Sequence, residues 1–255
     1  MFLIPVYAIG VIMRRFLACM IIAVAVIVGY GALIAFMIFV FAGPPDFLDL
    51  GLEQRDILWF DICLSMLFFI QHSGMVRNSF RSFTAPFIPK EYDGGFYAIT
   101  SGVVLLAVTL CWQETPHSFQ ANDGIFRGSL RSVYWLSLLG VVWGIISLRF
   151  FDPCGIWPIV VRLRGKEQKR MPFAARGAYL WVRHPIYLFI MLAIWSYPAL
   201  QTDRLLFNGL WTIWIVIGAL LEERDLVTQF GETYREYQRQ VPMFIPWRLG
   251  QRGNS

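Results

Sequence analysis

Apolar residues fall in six long runs, at about 16–42, 57–76, 96–112, 133–148, 185–200 and 205–221, and nearly all the charge is gathered between them. The longer runs match a helix crossing a hydrocarbon core of roughly 30 Å, and none has the short alternating pattern of a barrel strand. The second run reaches spanning length only if its helix continues through Gln71 and His72, so these polar residues are predicted inside the membrane or at its edge. The last two runs are short and joined only by Gln201-Thr202-Asp203-Arg204. They predict a tight hairpin, and five spans with one re-entrant pair is the alternative to six. The chain therefore reads as an all-α integral membrane protein of five to six transmembrane helices. It forms one membrane domain over 1–255, with a loop at 149–183 and a tail at 222–255.

Composition agrees. With 57% hydrophobic and 15% charged residues and a mean hydropathy of +0.55, there is too little polar surface to cover a soluble globule of this size. Of 22 basic residues, 18 fall on one side if the runs alternate across the membrane, which places both termini in the cytosol. The net charge of +5 is then that of inner loops lying against anionic lipid, and it calls for no nucleic acid. The first run follows Arg14-Arg15 like a signal peptide, but it is about twice the length of an h-region and reads as a retained span. Cys19, Cys63, Cys111 and Cys154 lack metal-ligand or disulfide spacing and read as small hydrophobes.

The loop begins with Phe151-Asp152-Pro153-Cys154-Gly155 and carries a basic run from Arg162 to Arg170, so it is expected to leave the helix and lie on the membrane face. In the tail, Leu226, Val227, Phe230, Tyr234 and Tyr237 recur at helical spacing, predicting an amphipathic C-terminal helix. Gly231 costs that helix about 1 kcal/mol relative to Ala. Pro242 and Pro246 end it.

On this topology, Gln71, His72 and Ser73 end the second span, Asp152 follows the fourth, Arg183, His184 and Tyr187 open the fifth, and Glu222 and Glu223 close the sixth. All fall at one depth on the cytosolic side, and the outer loops show no comparable polar cluster within the spans. Taken singly, each has a structural explanation. His184 starts a helix ahead of Pro185, the glutamates end a span, His72 bonds between helices, and Tyr179, Trp181, Tyr187 and Tyr197 form an interfacial belt. Ionisable groups at a membrane boundary are costly, however, and their joint occurrence points to a cofactor pocket open to the cytosol.

Gly177-Ala178-Tyr179, Arg183-His184-Pro185-Ile186-Tyr187, then an apolar hairpin, Glu222-Glu223-Arg224-Asp225-Leu226, Phe230-Gly231, Tyr234, Tyr237 and Val241-Pro242-Met243-Phe244-Ile245-Pro246 together resemble the isoprenylcysteine carboxyl methyltransferase superfamily. Phe69-Ile70-Gln71-His72-Ser73-Gly74-Met75-Val76-Arg77 and Phe151-Asp152-Pro153-Cys154-Gly155-Ile156 are similar to its bacterial methanethiol S-methyltransferase branch. The sequence departs from that branch at Phe150, Pro153-Cys154 and Gly74. The resemblance implies S-adenosyl-L-methionine as donor, S-adenosyl-L-homocysteine as product and residence in the bacterial inner membrane, with the bilayer and a small-molecule acceptor as partners and no obligate protein partner. It also implies that Tyr179, His184, Pro185, Tyr187 and Leu188 hold the cofactor, and that Glu222 or Glu223 pairs with its ammonium.

The sulfonium already activates the methyl group, so such a site must hold a nucleophile in line, exclude water and, without needing a metal, favour the cation with aromatic faces. A thiol acceptor, with a free pKa of about 8.5 or above, calls for a base or a positive field. His72 is the candidate base, Asp152 its orienting carboxylate and Arg183 the stabilising charge, with Gln71, Ser73 and Arg77 on the acceptor side. A carboxylate acceptor would rely on Arg183 or Arg77 instead. The leading reading is methylation of a small thiol, methanethiol to dimethyl sulfide by direct displacement. The alternatives are a membrane-partitioned isoprenoid carboxylate or lipid entering along a groove between the third and fourth spans, and a non-catalytic transporter or sensor.

Overall fold

The computed structural model describes residues 6–45, 48–116, 118–120, 124–148, 150–166 and 172–246. His117, Arg149 and the later part of the basic run lie outside the described residues. Among the described residues, five helices are long and apolar enough to cross a membrane. They belong to α1 (Val6–Ala42), α2 (Gln54–Val76), α4 (Asp93–Cys111, extended by a 3-10 turn at Lys90–Tyr92), α5 (Gly124–Ser147) and α8 (Thr202–Phe230). Shorter helices are α3 (Asn78–Thr84), α6 (Ile156–Leu163), α7 (Pro185–Trp195) and α9 (Glu232–Gln240). The protein is an all-α integral membrane protein whose α2 runs through Gln71 and His72, as its length requires.

Hydropathy misplaces several ends. The fourth helix starts at Gly124, well before the apolar run, because Ser129 and Ser132 donate to the carbonyls of Ile125 and Gly128 at 3.0 and 2.9 Å and so fit within the helix. The fifth run does not reach 200. Helix α7 has 11 residues, about 16 Å, and stops at Ser196, whose hydroxyl donates to the Ala193 carbonyl at 2.6 Å. Pro198 follows, and 199–201 pairs antiparallel with 118–120 in a three-residue ribbon. The sixth run is the core of a 29-residue helix of about 44 Å, which carries Glu222 to Asp225 within it rather than after it. The tail helix is also not continuous. Gly231 adopts φ +59°, ψ −131°, a backbone region that a residue with a Cβ seldom enters, and it separates α8 from α9.

The helices pack closely where side chains are small. A Cβ on Gly102 would lie 2.9 Å from Val28 on α1, and Cβ atoms on Gly140 and Gly144 would lie 2.3 and 2.7 Å from Phe189 and Ile186 on α7. Between the helices lies an aromatic core, with Phe68 stacked on Trp211 at 5.2 Å and Phe69 on Trp214 at 4.7 Å. Cys154 is buried against Ala25 and Ala98, whereas Cys19 and Cys63 are exposed on the helix surfaces.

The end of the bundle opposite Glu222 holds a buried polar cluster that the sequence reading did not anticipate. Asp203 accepts from the Thr115 amide (2.9 Å), the Thr115 hydroxyl (2.6 Å) and Trp112 Nε1 (3.3 Å). Arg204 donates to the Val40 carbonyl at 2.7 Å and lies over the Tyr197 ring at 4.3 Å. Asp61 accepts from the Gln113 amide at 3.1 Å. These bonds fasten the start of α8 to the ends of α1 and α4, satisfying terminal carbonyls and amides that the membrane cannot solvate.

Candidate active site

A cavity of about 580 Å³ opens where α5 ends, α7 begins and α8 ends. Pro185 sets the first turn of α7, where its missing N–H is no loss. Just before it, the amides of Arg183 and His184 donate to the carbonyls of Pro242 and Met243 at 2.8 and 3.2 Å, which draws the C-terminal segment alongside. The Arg183 guanidinium makes a two-pronged bond to Glu223 at 2.5 and 3.1 Å. Its third nitrogen donates to the carbonyls of Gln238 and Val241 at 3.0 and 2.5 Å, capping the end of α9. Glu223 also accepts from Gln238 Nε2 at 2.8 Å and lies 3.2 Å from His184 Nε2. Arg183 therefore lines the cavity but spends its guanidinium on fastening the C-terminal segment, rather than standing free as the stabilising cation expected of it.

Glu222 occupies a different environment. Its carboxylate faces the cavity, accepts from the Tyr187 hydroxyl at 2.9 Å and has no Arg or Lys partner among the described residues. Tyr187 lies parallel to His184, with ring centroids 5.4 Å apart. Tyr179 sits on a 3-10 turn (Gly177–Leu180) that begins at φ +53° on Gly177, where a Cβ would meet Ser147 Oγ at 2.3 Å. The same oxygen accepts the Ala178 amide at 3.0 Å. The Tyr179 carbonyl in turn accepts the Tyr237 hydroxyl at 2.6 Å, so α9 closes the cavity with Tyr234 and Tyr237. Burial raises the phenol pKa values of Tyr179, Tyr234 and Tyr237, and the nearby Glu222 carboxylate adds to this at Tyr179. These three stay neutral. With the Arg183 guanidinium engaged by Glu223, the Glu222 carboxylate beside neutral phenols and the phenyl rings of Phe150, Phe151 and Phe173 suits an organic cation.

The other predicted residues do not join this cavity. Pro185 and Leu188 are not among the residues that line it. Asp152 does not orient His72. Its Oδ1 and Oδ2 accept the amides of Ile156 and Trp157 at 2.9 and 2.7 Å, capping α6, because the free amides of a helix start are the nearest strong donors. Arg77 meets Asp225 at the surface, 3.7 Å away. Ser73 accepts from Trp214 Nε1 at 3.1 Å.

Gln71 and His72 instead form a second cluster with α4. The Tyr97 hydroxyl lies 2.7 Å from His72 Nε2, and the His72 ring packs against Phe68 at 4.9 Å and Trp214 at 5.3 Å. Gln71 Nε2 reaches the hydroxyls of Thr100 and Ser101 at 3.3 and 3.2 Å and Met75 Sδ at 2.9 Å. The sequence reading overlooked Tyr97, although a signal was there. Tyr97, Thr100 and Ser101 stand at i, i+3 and i+4, a polar stripe on one face of an apolar span.

Comparison with known proteins decides the lineage. The chain is 33% identical over 204 residues to methanethiol S-methyltransferase 2 of Bradyrhizobium diazoefficiens, covering 79% of each protein. It is 33% identical over 212 residues to methanethiol S-methyltransferase of Pseudomonas deceptionensis, covering 80% of this chain and 79% of that one. The chain belongs to the methanethiol S-methyltransferase family. Nurim of Rattus norvegicus is a more distant relative, 26% identical over 204 residues, covering 74% of this chain and 76% of that one. No family model and no solved structure matches the chain. In this methanethiol S-methyltransferase family member the cavity is walled by Tyr179, Arg183, His184, Tyr187 and Glu222.

Proposed function

We propose that this protein is a membrane methyltransferase that transfers a methyl group from S-adenosyl-L-methionine to methanethiol, giving dimethyl sulfide. The observation that carries the donor assignment is the Glu222 carboxylate, which faces the cavity and, among the described residues, forms no ion pair with an Arg or Lys, the Arg183 guanidinium that also lines the cavity being taken up by Glu223. The donor, when bound, supplies an activated methyl group on a cationic sulfur. Glu222 holds its ammonium, and Tyr187, kept in place by Glu222 and by the parallel His184 ring, presents an aromatic face to positive charge. Phe150, Phe151 and Phe173 keep water from the reacting atoms. The cavity faces the cytosol of a bacterial cell and both termini lie on that side, a reading supported by the basic inner segments.

A small acceptor fits better than a prenylated one. The cavity is of single-ligand size, in the range of roughly 300–1,000 Å³, and the seam between α5 and α7 is closed by Gly140 and Gly144 against Phe189 and Ile186. An apolar groove of about 300 Å³ does exist, but it lies between α1 and α5, lined by Tyr30, Met37, Phe41 and Tyr134, and shares no residue with the cavity. The test is a methyl-transfer assay on the purified protein with labelled donor and a panel of thiols, isoprenoid acids and lipids, read by headspace gas chromatography and lipid extraction. Volatile dimethyl sulfide is the expected product. Label in lipid alone overturns the acceptor, and failure to bind S-adenosyl-L-homocysteine overturns the enzyme in favour of a transporter or sensor.

A further inference from the structure

The cluster on α2 and α4 contains something that helix packing alone does not require. Gln71 directs both amide hydrogens at Thr100, Ser101 and Met75, and its Oε1 is buried with no hydrogen-bond donor. A buried amide oxygen without a donor is costly, so it marks a place where a donor belongs. Next to it, His72 has no carboxylate partner among the described residues, and the Tyr97 hydroxyl lies 2.7 Å from its Nε2. The cluster also connects with the cavity. His72 packs against Phe68 at 4.9 Å, and Tyr187 packs against the same aromatic core.

Resting on the thiol-methylation reading above, we infer that Gln71, Tyr97 and His72 form the proton-handling side of the acceptor site. The S–H of the thiol is shared between Gln71 Oε1 and the Tyr97 oxygen, and Tyr97 passes its own phenolic proton to His72. As the thiol sulfur gives a lone pair to the methyl carbon, the bond from that carbon to the donor sulfur breaks and its electron pair stays on the donor sulfur. The acceptor proton becomes strongly acidic only at that moment, so a neutral imidazole is base enough. The proton moves to the Tyr97 oxygen while the phenolic proton moves to an imidazole nitrogen of His72, leaving neutral sulfide, neutral phenol and one imidazolium that later releases its proton to water. This relay needs no carboxylate behind His72, in keeping with the use of Asp152 elsewhere.

The test compares two acceptors of nearly equal size, methanethiol and the more acidic methaneselenol, which is ionised at neutral pH and carries no proton to remove. Tyr97→Phe and His72→Asn are expected to slow methyl transfer to methanethiol at neutral pH by roughly 100-fold, the usual scale of a lost general base. They should retain most transfer to methaneselenol, recover methanethiol turnover as pH rises, and bind S-adenosyl-L-homocysteine by calorimetry like the wild type. Equal loss with both acceptors, or no loss with either, overturns the relay. Lost S-adenosyl-L-homocysteine binding in both variants also overturns it, because the pair then supports the donor cavity. A wild type that binds S-adenosyl-L-homocysteine yet methylates neither acceptor overturns the thiol reading itself, and the relay with it.

Discussion

Glu222 and Glu223 are adjacent on α8 yet live in different surroundings, Glu223 locked to Arg183 at 2.5 Å and Glu222 open to the cavity, with the Tyr187 hydroxyl at 2.9 Å and His184 Nδ1 at 3.9 Å. Neighbours on a helix point about 100° apart, so one carboxylate serves the architecture and the other is left for a ligand.

Exchanging each glutamate for glutamine should therefore give opposite results. Glu222→Gln is expected to weaken S-adenosyl-L-homocysteine binding about 10- to 100-fold, the scale of one charge-assisted hydrogen bond at about 1.5–3 kcal/mol, with an unchanged melting temperature. Glu223→Gln removes one side of a buried ion pair, whose loss costs about 3–5 kcal/mol, and should melt earlier. Calorimetric titration and thermal melting in detergent check both.

Arg183 holds Glu223 and the end of α9 together. Arg183→Gln is expected to release the segment after Gly231 before the rest unfolds, so limited proteolysis should cut near 232–246 while the spanning helices stay intact. Arg183→Lys should fail to rescue it, because an ammonium cannot reproduce the planar fork. A variant as resistant as the wild type would mean that Arg183 does not fasten the tail.

At the opposite end, Asp61 is fully buried and its Oδ2 has no hydrogen-bond partner. Asp61→Asn keeps an oxygen for the Gln113 amide and removes an uncompensated buried carboxylate, so it should raise the melting temperature. Asp203→Ala leaves the Thr115 and Trp112 donors without an acceptor and should lower it.

Helix α9 carries an exposed ion-pair network in which hydrogen bonds from Arg239 hold the carboxyls of Glu232 and Glu236 below their ordinary value of 4.5. A depressed carboxyl pKa stabilises the fold above the unfolded value and ceases to do so as pH falls through the folded one. Hydrogen exchange in α9 should accordingly rise on acidification below about pH 4.5, with a smaller change at high salt because exposed pairs are screened. Loosening of α9 on alkalinisation instead would contradict this.

Much of the site was legible because its residues follow one another in the chain. The string from Arg183 to Tyr187 and the acidic group at 222–225 were recognisable as the borders of one hairpin, and the structure does bring Tyr179, His184, Tyr187 and Glu222 to one cavity. Asp152 and His72 were paired only because both fall at one depth, and depth says nothing about direction around the bundle. Asp152 was drawn to the amides of α6, and His72 to a tyrosine on α4 that no motif contains. The cluster of Asp61, Asp203 and Arg204 was overlooked because Asp203 and Arg204 fall in a short connection that hydropathy treats as a solvated border, while Asp61 is a single charge within an apolar run.

The sequence by itself determined that this chain lies in a membrane as helices, since a backbone in hydrocarbon has few other ways to satisfy its amides, and it determined the order of the residues that border the cavity. Only the tertiary structure decided which glutamate faces inward, that α7 stops halfway, that Gly231 turns α9 back over the cavity and that Arg183 is an internal fastener. Those outcomes depend on side-chain direction and on partners 40 to 60 residues away, and a one-dimensional pattern of polar and apolar positions carries neither.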